Sequence, residues 1–272
     1  MAFHHASINI GKKFNLGLFE SVIFSPKDSV TSNNFDLSYL NPVIFYRAIE
    51  QQSGSPDNII VGADFKWNVF RGISLYGQAV IDEFLLKEVK AGRGWWANKF
   101  GGQLGIKYID VAGIRNLDLQ LEGNVVRPFT YSHDTRYGSY SNFRQPLAHP
   151  LGANFEEVVA IVRYQPRPRL NFIVKSFFTK IGRDTTFVNW GSDLLKNNKT
   201  RQNDYGNSIG QGVKNTIAFA DLTASYQLRH NLFIEVRQII RSSKSPVSIY
   251  NNYTSVTSVA LRLNIARRSY DF

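Results

Sequence analysis

Apolar and polar residues alternate with a period of two from end to end of this 272-residue chain, and helical periodicity is scarce. In the cleanest stretch, Leu117, Leu119, Leu121, Gly123 and Val125 alternate with Asp118, Gln120, Glu122 and Asn124. Such a segment is stable only as a strand with one apolar and one polar face. The same pattern predicts strands over 5–11, 14–24, 59–70, 73–82, 99–110, 117–127, 155–164, 170–181, 214–228, 232–241 and 254–265.

The connections between these strands alternate strictly in length. Residues 11–13, 71–72, 111–116, 165–169 and 229–231 are short; 25–58, 83–98, 128–154, 182–213 and 242–252 are long. Tight turns at one end and long loops at the other are the pattern of an antiparallel transmembrane barrel of the outer-membrane type. Each run is close to the roughly 9–11 residues that cross a bilayer when tilted. The expected fold is therefore all-β, an outer-membrane β-barrel.

The alternation holds only if residues 38–58, SYLNPVIFYRAIEQQSGSPDN, contribute no strand. Pro42 can open a helix but cannot sit in a central strand, and 53–58 is a cluster of turn formers. A short helix plus turn is predicted there, lodged in the outer mouth of the barrel.

Composition narrows the function classes. The chain has no cysteine, which removes disulfide and thiolate chemistry. Its 20 Phe and 13 Tyr against one Met favour strands. The longest strictly apolar run is 158–162, too short for a membrane-spanning helix. The net charge of +11 is scattered, with no block of basic residues, so nucleic acid is not an expected partner. Eleven strands would place the N-terminus outside the cell and Phe272 in the periplasm, whereas a complete barrel has an even number. With no signal peptide visible in MAFHHASINIG, residues 1–272 are expected to be the C-terminal part of a longer barrel domain.

The phrases HHASINI, GLFESVIF, YLNPVIFYRAIEQQSGSPDN and YGQAVIDEFLLKE, all within residues 4–90, resemble the capsule-assembly family typified by Wzi, in particular its gliding-motility RemB branch. The resemblance implies a barrel of about eighteen strands in the outer membrane of a Gram-negative bacterium, associated with surface polysaccharide and without known catalysis or cofactor. Eleven strands here would leave seven in an N-terminal part.

Candidate ligand-binding residues are Glu20, Asp82 and Glu83 at the outer strand ends, Arg47, Glu50 and Asp57 in the looped segment, and Tyr131 and Tyr137 in the 128–154 loop. The charges could hold sugar hydroxyls or carboxylates by bidentate hydrogen bonds, or pin the loop by ion pairs. The tyrosines could stack on sugars or belong to an interfacial aromatic girdle, the role expected of Trp95 and Trp96. His4-His5 and Ser132-His133-Asp134 read as ordinary polar residues, because adjacency does not supply catalytic geometry. The leading expectation is a non-enzymatic barrel that binds or organises surface polysaccharide, in contact with outer-membrane lipid and with envelope proteins. The alternatives are a channel or exporter with a loop-plugged lumen, and a barrel hydrolase.

Overall fold

The computed structural model describes residues 1–24, 41 and 57–264. The predicted alternation becomes an eleven-stranded antiparallel meander in which each long strand pairs with its sequence neighbours. The strands are β1 (Ala2–Ile10), β2 (Phe14–Ile23), β3 (Asn58–Phe70), β4 (Ile73–Glu83), β5 (Lys99–Tyr108) and β6 (Leu117–Val126). A two-residue hairpin, β7 (Ser141–Asn142) and β8 (Gln145–Pro146), interrupts the series. The sheet resumes with β9 (Phe155–Arg167), β10 (Leu170–Arg183), β11 (Val213–Arg229), β12 (Leu232–Lys244) and β13 (Asn252–Leu263). One described α-helix, α1 (Leu86–Ala91), lies in the 84–98 loop and ends on Gly92 in the left-handed conformation.

All tight turns fall at one end of the sheet and all long loops at the other. Gly11, Gly72 and Asn231 occupy positive-φ positions in three of the turns. β2 pairs directly with β3, so 25–57 leaves and re-enters at the loop end without adding a strand between them. Of the helix and turn predicted over 38–58, all but residues 41, 57 and 58 lie outside the described residues, as do Arg47, Glu50 and Phe272, and Asn58 already belongs to β3. β1 and β13 are the two edges, and among the described residues no pairing joins them. The sheet is open.

Register assigns the two faces. Leu104, Leu121, Val158, Phe178, Val236 and Val259 point outward and are exposed. Aromatic residues gather on this face near the turn end: Phe14, Trp67, Tyr108, Tyr164, Phe172 and Tyr226. The inward face carries Asp64, Gln78, Gln103, Asn124, Glu157 and Arg237. Some of its charges are paired with one another: Arg237 donates twice to Asp221 at 2.8 and 2.6 Å, and Arg262 bonds Glu235.

The core sits on the inward face at the loop end. One cross-strand row reads Phe19, Gly62, Val80, Gly101, Val126, Phe155 and Ile181. Loop residues Tyr131, Ala153 and Leu194 pack onto this apolar row together with Ile23 and Ile60. Burying each such side chain contributes about 1.5–3 kcal/mol, which holds the loops down on the wall.

Candidate functional site

Two residues nearer the tight turns, the next inward row is polar: Asp64, Gln78, Gln103, Asn124, Glu157 and Thr179 stand opposite one another on six consecutive strands of the sheet. The apolar row above and the polar row below border a cavity of about 300 Å³. Residues 127–154 roof it, contributing Tyr131, Tyr140, Leu147 and His149. Gly101 and Gly102 on β5 leave the floor low.

Hydrogen bonds tie the roof to the polar wall. His149 stacks on Phe155 with ring centroids 4.5 Å apart. The Leu151 N–H donates to His149 Nδ1, which assigns the ring proton to Nε2 and makes it the donor to Glu157 at 3.1 Å. Thr179 and Asn124 also donate to Glu157. Asn124 continues to Glu122, and Glu122 accepts from the Tyr76 hydroxyl at 2.6 Å. Gln78 and Gln103 are different: among the described residues, neither side-chain amide has a hydrogen-bond partner. Two amides with open donors and acceptors, facing Phe3, Phe19, Tyr131 and Tyr140, can bind hydroxyl-rich molecules while the rings stack.

A second cluster latches the roof. Lys99 is fully buried and donates to Glu83 at 2.7 Å and to the Ser132 carbonyl at 3.0 Å. Its ammonium lies 5.1 Å from the Trp96 ring. Asp82, buried beside it, accepts the Tyr131 N–H at 2.7 Å. Tyr131 and Phe129 both hold positive φ, 72° and 67°, which bulky residues adopt only when the surroundings impose it. Burial pushes the Tyr131 phenol above its ordinary pKa, with Asp82 and Tyr140 adding to it.

The predicted candidates therefore separate. Asp82, Glu83 and Tyr131 come together around Lys99. Glu20 does not join them: it stands opposite Val61, on the outward face, buried and 3.1 Å from His4. Its parity, shared with Phe14, Leu16 and Leu18, puts it on the opposite face of the sheet from Lys99. Asp57 is buried immediately before β3. Tyr137 is exposed, with Arg136 over its ring at 5.1 Å. Arg47 and Glu50 fall outside the described residues.

Trp96 is also not a girdle residue. It packs between loops, against Phe129 and under Arg201 at 3.9 Å. Backbone hydrogen bonds from Trp96 to Asp204, Gly206 to Arg93 and Asn207 to Gly94 zip the 84–98 and 184–212 loops together.

Sequence reasoning missed Lys99, Gln78, Gln103, Asn124, His149 and Glu157. The parity of Gln78 and Asn124 was available; their convergence under a roof was not.

No protein-family model matches the chain, and no curated protein does. Among solved structures the chain is similar to Wzi of Escherichia coli, an outer-membrane carbohydrate-binding β-barrel involved in group 1 capsule assembly. The TM-score is 0.52 at 15% identity, over 94% of this chain and 49% of that one. The chain spans about half the length of that structure. The likeness carries the fold: this is a Wzi-like antiparallel β-barrel sheet.

Proposed function

We propose that the chain is a barrel segment of the outer membrane of a Gram-negative bacterium, whose roofed inner wall binds surface polysaccharide without transforming it. The observation that carries this reading is the cavity between the apolar and polar rows, with the open amides of Gln78 and Gln103 set among aromatic rings. The outward apolar face with its aromatic belt supports a lipid environment. The open edges support a larger barrel, because an unpaired edge in lipid leaves backbone groups unsatisfied. Additional strands, about seven, would close it.

Loops packed onto the wall favour holding a glycan over passing solutes. The likeness of residues 4–90 to the RemB branch extends the reading to gliding motility and to envelope protein partners. Arg47, Glu50, Asp57 and Tyr137 remain candidate contacts at the loop end.

The test is retention of the cell's own surface polysaccharide by the full-length protein and by Gln78→Ala, Gln103→Ala, Arg47→Ala and Tyr137→Ala variants. Folding is followed by heat-modifiable gel mobility. Normal folding with weakened retention in the two glutamine variants is expected. Normal folding with undiminished retention in both would remove the cavity from the binding site.

A further inference from the structure

The outward face holds a cationic cluster that neither the core nor the cavity uses. On three adjacent strands at the loop end, Lys180, Thr216 and Lys244 stand in one cross-strand row. Lys214 lies one outward position further up β11, opposite Gly182. All three lysines are exposed. Strands lie about 4.8 Å apart, so the row spans about 10 Å, within reach of three flexible lysine stems meeting on one group.

Among the described residues one carboxylate answers them. Glu156 bonds Lys180 at 3.0 Å, but both side chains are more than half exposed, so the pair is weak and exchangeable. Three cations against one carboxylate leave two positive charges in excess. Beside them a depression of about 220 Å³ is bordered by Lys180, Lys214, Thr216, Ile209, Gly210 and the Glu156 carboxylate. Its position gives the cluster meaning. The next outward row toward the turns is Val158, Phe178 and Ala218, where Val158 is 57% exposed and Phe178 46%. Cations stand directly above exposed apolar surface.

We infer that Lys180, Lys214 and Lys244 form a binding site for a phosphate group of an outer-leaflet lipid headgroup, with Phe178 and Val158 against its acyl chains. The inference rests on the membrane placement of the outward face. A soluble polyanion would need the cations but not the apolar row beneath them. A lipid phosphate needs both, at this spacing. Thr216, in the middle of the row, offers a hydroxyl to the same oxygens.

The experiment uses the full-length protein folded in neutral detergent micelles. Thermal unfolding is read by heat-modifiable gel mobility as diphosphorylated lipid A is titrated in. Chemically dephosphorylated lipid A and inorganic phosphate serve as parallel arms. Diphosphorylated lipid A is expected to raise the unfolding temperature, and the dephosphorylated form to do so much less. Each Lys→Gln change should raise the lipid concentration needed for half the shift about fivefold, and the three together on the order of a hundredfold. Lys87→Gln, in the 84–98 loop, should leave it unchanged.

An equal response of the triple variant overturns the site. An equal response to inorganic phosphate, or to an acidic polysaccharide at matched charge, overturns the lipid assignment. A protein that folds in micelles but ignores the lipid's phosphates refutes this inference alone. A protein that cannot be folded in micelles or inserted into lipid at all refutes the barrel reading beneath it.

Discussion

Replacing Lys99 by Met should release the roof without unfolding the sheet. The side chain is 0% exposed, and its ammonium is held by Glu83, the Ser132 carbonyl and the face of Trp96, with Asp82 adjacent. Removing one partner of a buried ion pair costs about 3–5 kcal/mol, because the remaining charge stays desolvated. Glu83 is 36% exposed and can recover part of its hydration, so the upper end does not apply here. Asp82 is 6% exposed and cannot. A loss of about 2–3 kcal/mol in the closed roof follows, or about 30- to 150-fold in its open population.

Amide hydrogen exchange reads this quantity directly. The Tyr131 N–H bonds Asp82, Ser132 N–H bonds the Phe129 carbonyl, and Tyr140 N–H bonds the Tyr131 carbonyl. Protection of these three amides should fall about 30- to 150-fold in Lys99→Met, with the amides of β9 and β10 unchanged. Asp82→Asn keeps an acceptor for Tyr131 and leaves Lys99 its bond to Glu83, so its effect should be several-fold smaller. Protection of 131–140 within threefold of the parent in Lys99→Met would refute the latch. A uniform loss across the wall strands would show a fold-wide role instead.

Three further outcomes are expected. Leu121→Arg puts a cation in the middle of the outward face and should cost about 2–4 kcal/mol in a lipid-reconstituted unfolding titration; Glu122→Gln on the opposite face should cost far less. Gly105→Ala places a methyl against the Tyr76 ring, which lies over that glycine and bonds Glu122 and Gln120; a loss of about 1–3 kcal/mol is expected, with Tyr76→Leu in the same background restoring part of it. His133 titrates below its ordinary value because burial outweighs the attraction of Asp134. As pH falls below about 6.5 the open loop takes up the proton first, so roof protection, corrected for intrinsic exchange, should be complete above that pH and decline below it. A flat profile in the parent, or an identical decline in His133→Gln, would remove His133 as the cause.

The strands were legible because one face of each must be apolar and the other polar, and a one-residue slip would invert both. Leu117 to Val125 shows this best, and the structure places every one of those side chains on the face that parity assigns. Boundaries moved where turn chemistry misled. The QPRPR segment continues as strand to Arg167, since Pro166 sits where its missing N–H does no harm near the turn. The roof was not legible, because it depends on residues far apart in sequence, such as Ser139 donating to the Leu194 carbonyl. A signal for it did exist. At the loop end the alternation breaks and both parities turn apolar, in Val22-Ile23, Ile59-Ile60 and Val125-Val126. At Val22-Ile23 and Ile59-Ile60 both faces are buried, the outward Val22 and Ile59 being 2% and 3% exposed, so protein covers each face there.

The roof sits on that break. The apolar inward row is packed by the roof, and one inward step nearer the loops stand Ser21 and Lys99, both buried. The filling is held by means that resist opening. Phe129 and Tyr131 accept left-handed backbone at a cost of about 1–2 kcal/mol each, repaid by ring burial and by bonds to Gly191 and Asp82. Lys99 fixes the same turn from below, and the Asn154 amide ties its far end to the Gly182 and Gln211 carbonyls. Opening the mouth would break all of these together.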